Sequence, residues 1–183
     1  MSFLQKKNDS IMKITIEQLL QNLDKYKAGT KIELSGTIYT ARDQAHKRLV
    51  ELLNNGEKLP IKLEDSCVYY CGPCPKPPDK IIGSCGPTTS SRMDIYTPTM
   101  LSNGVKIIIG KGKRSKDVVD SIIENKAIYL LATGGVGALI SQKVKSFKLV
   151  AFEDLGPEAI YELIVEDFPL IVGIDCKGNT LFR

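Results

Sequence analysis

The feature that most restricts what this chain can fold into is a rhythm in its second half. Short apolar runs rich in β-branched residues recur at residues 105–109 (VKIII), 127–132 (AIYLLA), 148–152 (KLVAF) and 170–175 (LIVGID). Helical patterns lie between them at residues 115–125 and 133–140. A third helix is opened by residues 153–157 (EDLGP), with Asp154 or Gly156 as cap and Pro157 at a first helical position. Strands that alternate with helices from residue 80 onward make an α/β unit with a mixed, partly parallel sheet. The chain closes on a strand and a turn through CKGN to residues 180–182, a hairpin pattern.

The first half is richer in strands. Residues 12–16 alternate apolar and polar side chains, leucines at helical spacing follow as far as residue 23, and residues 24–30 form a polar turn. Residues 31–40 (KIELSGTIYT) read as a strand in which Gly36 marks a bulge or the close approach of another backbone. Further strands are expected over residues 58–63 and up to residue 70, around a turn at residues 64–66, so a second β layer should pack beside the α/β unit. With 183 residues, 43% of them hydrophobic, one domain over residues 1–183 is the natural count.

The residues that could carry chemistry collect in the turns. Residues 81–94 (IIGSCGPTTSSRMD) set two β-branched residues at a strand end, then a turn, four hydroxyls and Arg92. A helix beginning here offers free backbone N–H groups and the positive end of its dipole beside a guanidinium, which suits an anion. Thr88 and Arg92, four residues apart, share one face of such a helix, where the arginine takes a carboxylate and the hydroxyl reaches the adjacent carbon. An ordinary capped helix with a solvated arginine uses the same residues. Upstream, Leu49, Leu52 and Leu53 define a helix over residues 41–53, stopped by Asn54, Asn55 and Gly56. Arg42 falls in its first turn against the dipole, which costs about 0.3–1 kcal/mol when exposed. Either it serves an anion or it pairs with Asp43 or another carboxylate. His46, the one histidine, lies a turn further on and packs at the helix surface. Lys111, in the Gly-Lys-Gly turn after residues 105–109, is another cation beside free N–H groups, without the spacing of a P-loop. The glycines of residues 133–140 (TGGVGALI) suit close helix packing and do not match a dinucleotide-binding pattern.

Of five cysteines, Cys71, Cys74 and Cys85 crowd together. Cys71-Gly72-Pro73-Cys74 matches the redox motif of thioredoxin, but Pro75, Pro77 and Pro78 remove the helix which that motif needs. A metal site at the three lacks a fourth ligand, and packing thiols are the plain reading. Basic residues number 25 against 21 acidic ones, with the signs interspersed. A net charge of +4 favours small anions or an acidic partner over nucleic acid. No apolar run is long enough to span a bilayer, and residues 1–14 resemble neither a secretory signal nor a transit peptide, so a cytoplasmic protein is expected.

Seven blocks in order, GTIYTARDQAHKRL, YYCGP, GSCGPTTSSRMDIYTP, IIIGKG, ATGGVGAL, FEDLGPEAIYELIVEDFP and IDCKGN, resemble the β subunit of two-subunit class I fumarate hydratases. The same region resembles the C-terminal domain of the single-chain enzymes and the β subunit of L-tartrate dehydratase. The similarity covers nearly the whole chain after its first dozen residues. It implies a swivelling β/β/α domain and a fumarate hydratase α subunit as partner, two of each chain forming a heterotetramer. A [4Fe-4S] cluster is then ligated by that partner and not by this chain. The implied reaction interconverts fumarate plus water and (S)-malate: iron acts as Lewis acid on the hydroxyl, and a base on this chain takes the proton from the adjacent carbon.

By the same resemblance Thr88 takes the place of the proposed base, and His46 is a second catalytic candidate through the tartrate enzymes. Arg42, Arg92 and Lys111 take the places of residues that hold the dicarboxylate. A threonine hydroxyl is a very weak base; Arg42, Arg92 and a helix N-terminus would lower its pKa, by one unit for about 1.36 kcal/mol. The same cations neutralise the charge of a carbanion beside a carboxylate. Cys71, Cys74 and Cys85 depart from the family, which has small apolar residues there. The wording of GTIYTARD and IDCKGN favours fumarase over tartrate dehydratase. A non-catalytic carboxylate- or phosphate-binding module is the reading from another class.

Overall fold

The computed structural model describes residues 11–132 and 137–182. Strand β1 (Met12–Thr15) turns directly into helix α1 (Ile16–Gln21). Thr15 makes the junction: its hydroxyl accepts the Gln18 N–H at 3.2 Å, and its own N–H donates to the Gln18 side chain at 2.9 Å, a reciprocal cap. There follow β2 (Lys31–Thr40), α2 (Asp43–Asn54), β3 (Cys67–Tyr69), α3 (Thr97–Ser102), β4 (Ile107–Gly110) and α4 (Lys116–Glu124). The chain then runs through β5 (Ile128–Leu131), α5 (Gly137–Ser141), β6 (Val144–Ala151) and β7 (Ile160–Ile174).

Among the described residues these strands form one mixed sheet in the order β1-β2-β3-β4-β5-β7-β6, and β2 also pairs with β7. Strands β2 to β5 are parallel neighbours, whereas β7 runs antiparallel to both β5 and β2. That last pairing closes β2, β3, β4, β5 and β7 into a five-stranded barrel, which β1 and β6 extend along the edges of β2 and β7. The expected partly parallel sheet is present. The expected second β layer is not, because both edges of β2 are already taken, by β7 on one side and by β1 and β3 on the other.

Three local expectations also change. Residues 58–63 form no strand; Ile61 and Leu63 are buried by packing alone, and Pro60 removes a ladder donor. Residues 81–82 are not a strand end, and the first helical segment after them is the single 3-10 turn Ser90–Met93, so Thr88 and Arg92 do not share an α-helical face. The helix expected from residue 153 is a 3-10 segment, Glu153–Glu158, broken at Gly156 (φ 55°), after which β7 begins. Ile160, Leu163, Val165, Phe168 and Leu170 of that strand are buried, and this burial overrides the helix-opening residues ahead of it.

The strands β3, β4 and β5 read as continuous apolar runs because both of their faces are buried. Tyr69, Ile107, Ile109, Ile128 and Leu130 join the core with Leu34, Leu163 and Phe168, while Val68, Ile108 and Tyr129 on the other face meet Leu49, Met100, Val118 and Ile122 of the helices. Full burial of each such aliphatic side chain stabilises by roughly 1.5–3 kcal/mol. Gly36 is the bulge in β2: the register with β7 shifts there, its φ is +140°, and a Cβ would stand 3.0 Å from Ile16.

Candidate functional site

Because β2, β3 and β4 are parallel, their carboxyl ends emerge at one end of the barrel. Arg42 lies two residues past β2 and Lys111 one residue past β4. The ladder continues into the loops: Ala41 N–H donates to Tyr69 O (3.0 Å), Tyr70 N–H to Ile109 O (2.9 Å) and Thr88 N–H to Tyr70 O (2.8 Å). Cys71 forms an antiparallel bridge with Pro87, and Thr89 a parallel one with Lys111. Residues 87–89 are thus threaded between the ends of β3 and β4. Arg42, Thr88, Arg92 and Lys111, drawn from separate turns, stand at the same end.

Asp43 joins the two arginines. Arg92 Nε donates to Asp43 Oδ1 at 2.9 Å, and Arg42 Nε lies 3.9 Å from Asp43 Oδ2. Arg42 Nη2 is also 3.6 Å from Glu158 Oε1. Arg42 sits at the N-cap of α2 with extended backbone rather than in its first turn. The positive end of the helix is met by Asp43 in the first turn and by Glu158, whose Oε2 accepts the Gln44 N–H at 3.0 Å. The cation expected to oppose the dipole is therefore compensated, and its pairing with acidic neighbours, weighed from sequence, is present alongside its exposure to the open end. Gly72 has its reason here as well. A Cβ at that position would lie 2.7 Å from Arg42 Cδ and 3.1 Å from the Pro157 carbonyl, so the glycine of CGPC leaves room for the arginine.

Beneath this end runs a buried polar network. Arg114 is fully covered, its Nε donating to Asp94 Oδ1 at 2.7 Å and its Nη2 to Thr97 Oγ1 at 2.8 Å, between the rings of Tyr70 and Tyr129. Asp94 Oδ2 accepts the Ser115 N–H at 2.7 Å, tying the network to the start of α4. The Tyr129 hydroxyl lies 3.0 Å from both Gly112 O and Ser90 Oγ, and Ser90 Oγ accepts the Lys111 N–H at 2.9 Å. Burial pushes the Tyr129 phenol up to about 12. Gly110 is fixed by the same contacts, since a Cβ there would meet Ser90 Oγ at 2.0 Å. Thr88 is half-buried above this network, and Arg92 is exposed.

His46 is not at the helix surface. It is buried, edge-on to Tyr70 (5.1 Å between centroids) and stacked on Tyr96 (6.1 Å), with Nδ1 2.8 Å from Arg42 O. Burial pushes its pKa down to about 4, so near neutral pH the ring is uncharged and Nδ1–H donates to that carbonyl. It props the main chain of Arg42 from below.

The cysteines pack. Cys67, Cys71 and Cys85 are buried and their thiols are pushed up by that burial, Cys85 to about 12. No helix begins at Cys71, and among the described residues no three His, Cys, Asp or Glu side chains are placed to hold a metal ion. The glycine set of residues 133–140 lies partly outside the described residues; within them, Gly137 fits against Gly86, whose backbone nitrogen a Cβ would approach to 2.8 Å.

Sequence reasoning missed Asp94, Arg114 and Tyr129, and had Ser90 only as one of four hydroxyls in a row. Arg114 gave one weak signal, as the only arginine in a turn of lysines.

A family model described as "Fumarase C-terminus" matches residues 2–183. The chain is 39% identical over 170 residues to "Fumarate hydratase class I, aerobic" of Escherichia coli (strain K12), covering 92% of this chain and 31% of that protein. It is also 39% identical over 173 residues to "Fumarate hydratase 2" of Leishmania major, covering 93% and 30%. To "Putative L(+)-tartrate dehydratase subunit beta" of Methanocaldococcus jannaschii it is 39% identical over 179 residues, covering 94% and 92%. The chain spans about a third of the length of the fumarate hydratases it matches. Among the described residues no helix is long and apolar enough to cross a membrane.

Proposed function

This chain belongs to the fumarase C-terminal family, and from that premise we propose that it is the β subunit of a class I fumarate hydratase, a hydro-lyase interconverting fumarate and (S)-malate. The observation that carries the reading is the gathering of Arg42, Thr88, Arg92 and Lys111 at the carboxyl ends of β2 to β4, with Asp43 between the arginines. Cations from separate strand ends suit a four-carbon diacid with a carboxylate at each end. In this reading Arg42, Arg92 and Lys111 hold the dicarboxylate and offset the charge that grows beside a carboxylate as a proton leaves its neighbouring carbon. Thr88 takes that proton, and in the reverse direction returns it. His46, buried and uncharged, supports Arg42 and is the weaker candidate for the base.

The residues of this chain do not fit a [4Fe-4S] cluster: Cys67, Cys71 and Cys85 are buried thiols, Cys176 lies at the opposite end of the barrel, past β7, and exposed Cys74 has no two further His, Cys, Asp or Glu side chains placed with it among the described residues. The cluster of such an enzyme belongs to an α subunit, and the assembly proposed is a cytoplasmic heterotetramer of two α and two β chains. The domain swivels as a body and brings its cationic end over the partner's site. The test is an assay of the chain alone and mixed with its cluster-bearing partner. Malate formed from fumarate only in the mixture supports the reading. Turnover of tartrate in preference to malate shifts it to the tartrate dehydratase reading, and diacid binding without turnover to a binding module.

A further inference from the structure

We propose that Asp43 is the positioning residue of this site, a carboxylate tether that holds Arg42 and Arg92 in register and completes its second contact when a dicarboxylate binds. This rests on the reading that those arginines hold the substrate. Asp43 is the first residue of α2, and its two oxygens point at two cations from different parts of the chain, Arg92 being 49 residues away. One contact is made, the 2.9 Å bond from Arg92 Nε. The other is open: Arg42 Nε and Asp43 Oδ2 face each other across 3.9 Å, and both atoms are buried without a hydrogen-bond partner.

A buried donor and a buried acceptor left unmade beside one another are costly, and a movement of about an ångström pairs them at ordinary hydrogen-bond length. Arg42 has a reason to stay back, since its Nη2 also leans towards Glu158 at 3.6 Å. A substrate carboxylate engaging the outer edge of Arg42 competes with Glu158 and lets Nε close on Asp43. The tether then fixes both guanidiniums as one unit, and each carboxylate of the ligand strengthens the grip on the other. A mere helix-start acid would stabilise α2 without touching substrate affinity.

In the complex with its cluster-bearing partner, Asp43→Asn is expected to raise KM for malate at least tenfold with kcat held within threefold. On an Arg92→Lys background, which lacks the Nε donor, the same change is expected to raise KM less than twofold further. A KM within twofold of wild type for Asp43→Asn, or a full effect on the Arg92→Lys background, overturns the tether. A second measurement needs neither turnover nor a folded variant. In the wild-type chain labelled at arginine nitrogen, saturating succinate is expected to slow solvent exchange of the Arg42 Nε proton at least threefold, and an unchanged rate overturns the proposal. Absence of turnover by the wild-type complex, with that protection still present, sinks the hydro-lyase reading and leaves the tether standing.

Discussion

At the amino ends of β3, β4 and β5 the barrel presents Asp65, Lys106 and Lys126, which with Asp24 and Cys176 line a hollow of about 420 Å³; at the carboxyl ends of β2, β3 and β4 it presents Arg42, Thr88, Arg92 and Lys111. Both ends are charged. At the amino end the charges balance locally and a cation is spent on main chain, as where Lys106 Nζ donates to Asn125 O at 2.6 Å. At the carboxyl end loop backbones are laced to strand ends by ladder hydrogen bonds, and the two arginines are held by acids that leave part of each guanidinium open. On the proposed reading the site follows strand polarity and convergence rather than this hollow.

The largest effect that separates the ends is chemical. Thr88→Ala is expected to lower kcat of the complex by about 10²–10⁴, the usual worth of a positioned general base, with KM for malate little changed; steady-state kinetics reads this. Next comes the support beneath the site. Arg114→Met strands the Asp94 carboxylate, and urea unfolding is expected to show a loss of about 3 kcal/mol, since removing one partner of a buried pair leaves the other uncompensated.

A smaller effect comes from His46. Its folded pKa is depressed to about 4 from an ordinary 6.5, so between those values the unfolded chain binds the extra proton and the folded one does not. Stability is therefore full above pH 6.5 and falls as the pH drops towards 4, by up to about 3 kcal/mol from this group. The urea midpoints of wild type and His46→Gln, compared at pH 7 and pH 4, are expected to converge at the lower pH. The smallest effect lies at the other end. Lys126 holds a left-handed φ of 49°, and Lys126→Gly is expected to stabilise by no more than about 1 kcal/mol in the same assay, with kinetics unchanged.

Much of the fold is locally encoded and was legible for that reason. The ten residues of β2, the bulge at Gly36 and the start of α4 near residue 115 are each set by neighbours in sequence. The greater part of β7 was not, because its start follows helix-opening residues and Pro169 lies within it; only pairing with β2, more than a hundred residues away, makes it a strand. The site divides in the same way. The turn patterns offered the cations and the hydroxyl and the resemblance gave them roles, but the tie from Asp43 to Arg92 and the burial of Arg114 depend on chain segments that meet only after folding. His46 looked like a surface residue because its helix is amphipathic, and the rings of Tyr70 and Tyr96 that cover it are distant in sequence.

The most direct measurement is a crystal structure of the chain in complex with its cluster-bearing partner, grown with a dicarboxylate inhibitor. Electron density for the ligand is expected within hydrogen-bonding distance of Arg42, Arg92 and Lys111, with Thr88 facing the carbon beside a carboxylate. A dicarboxylate seated instead in the hollow of Asp24, Asp65, Lys106 and Lys126, with the opposite end empty, would contradict it.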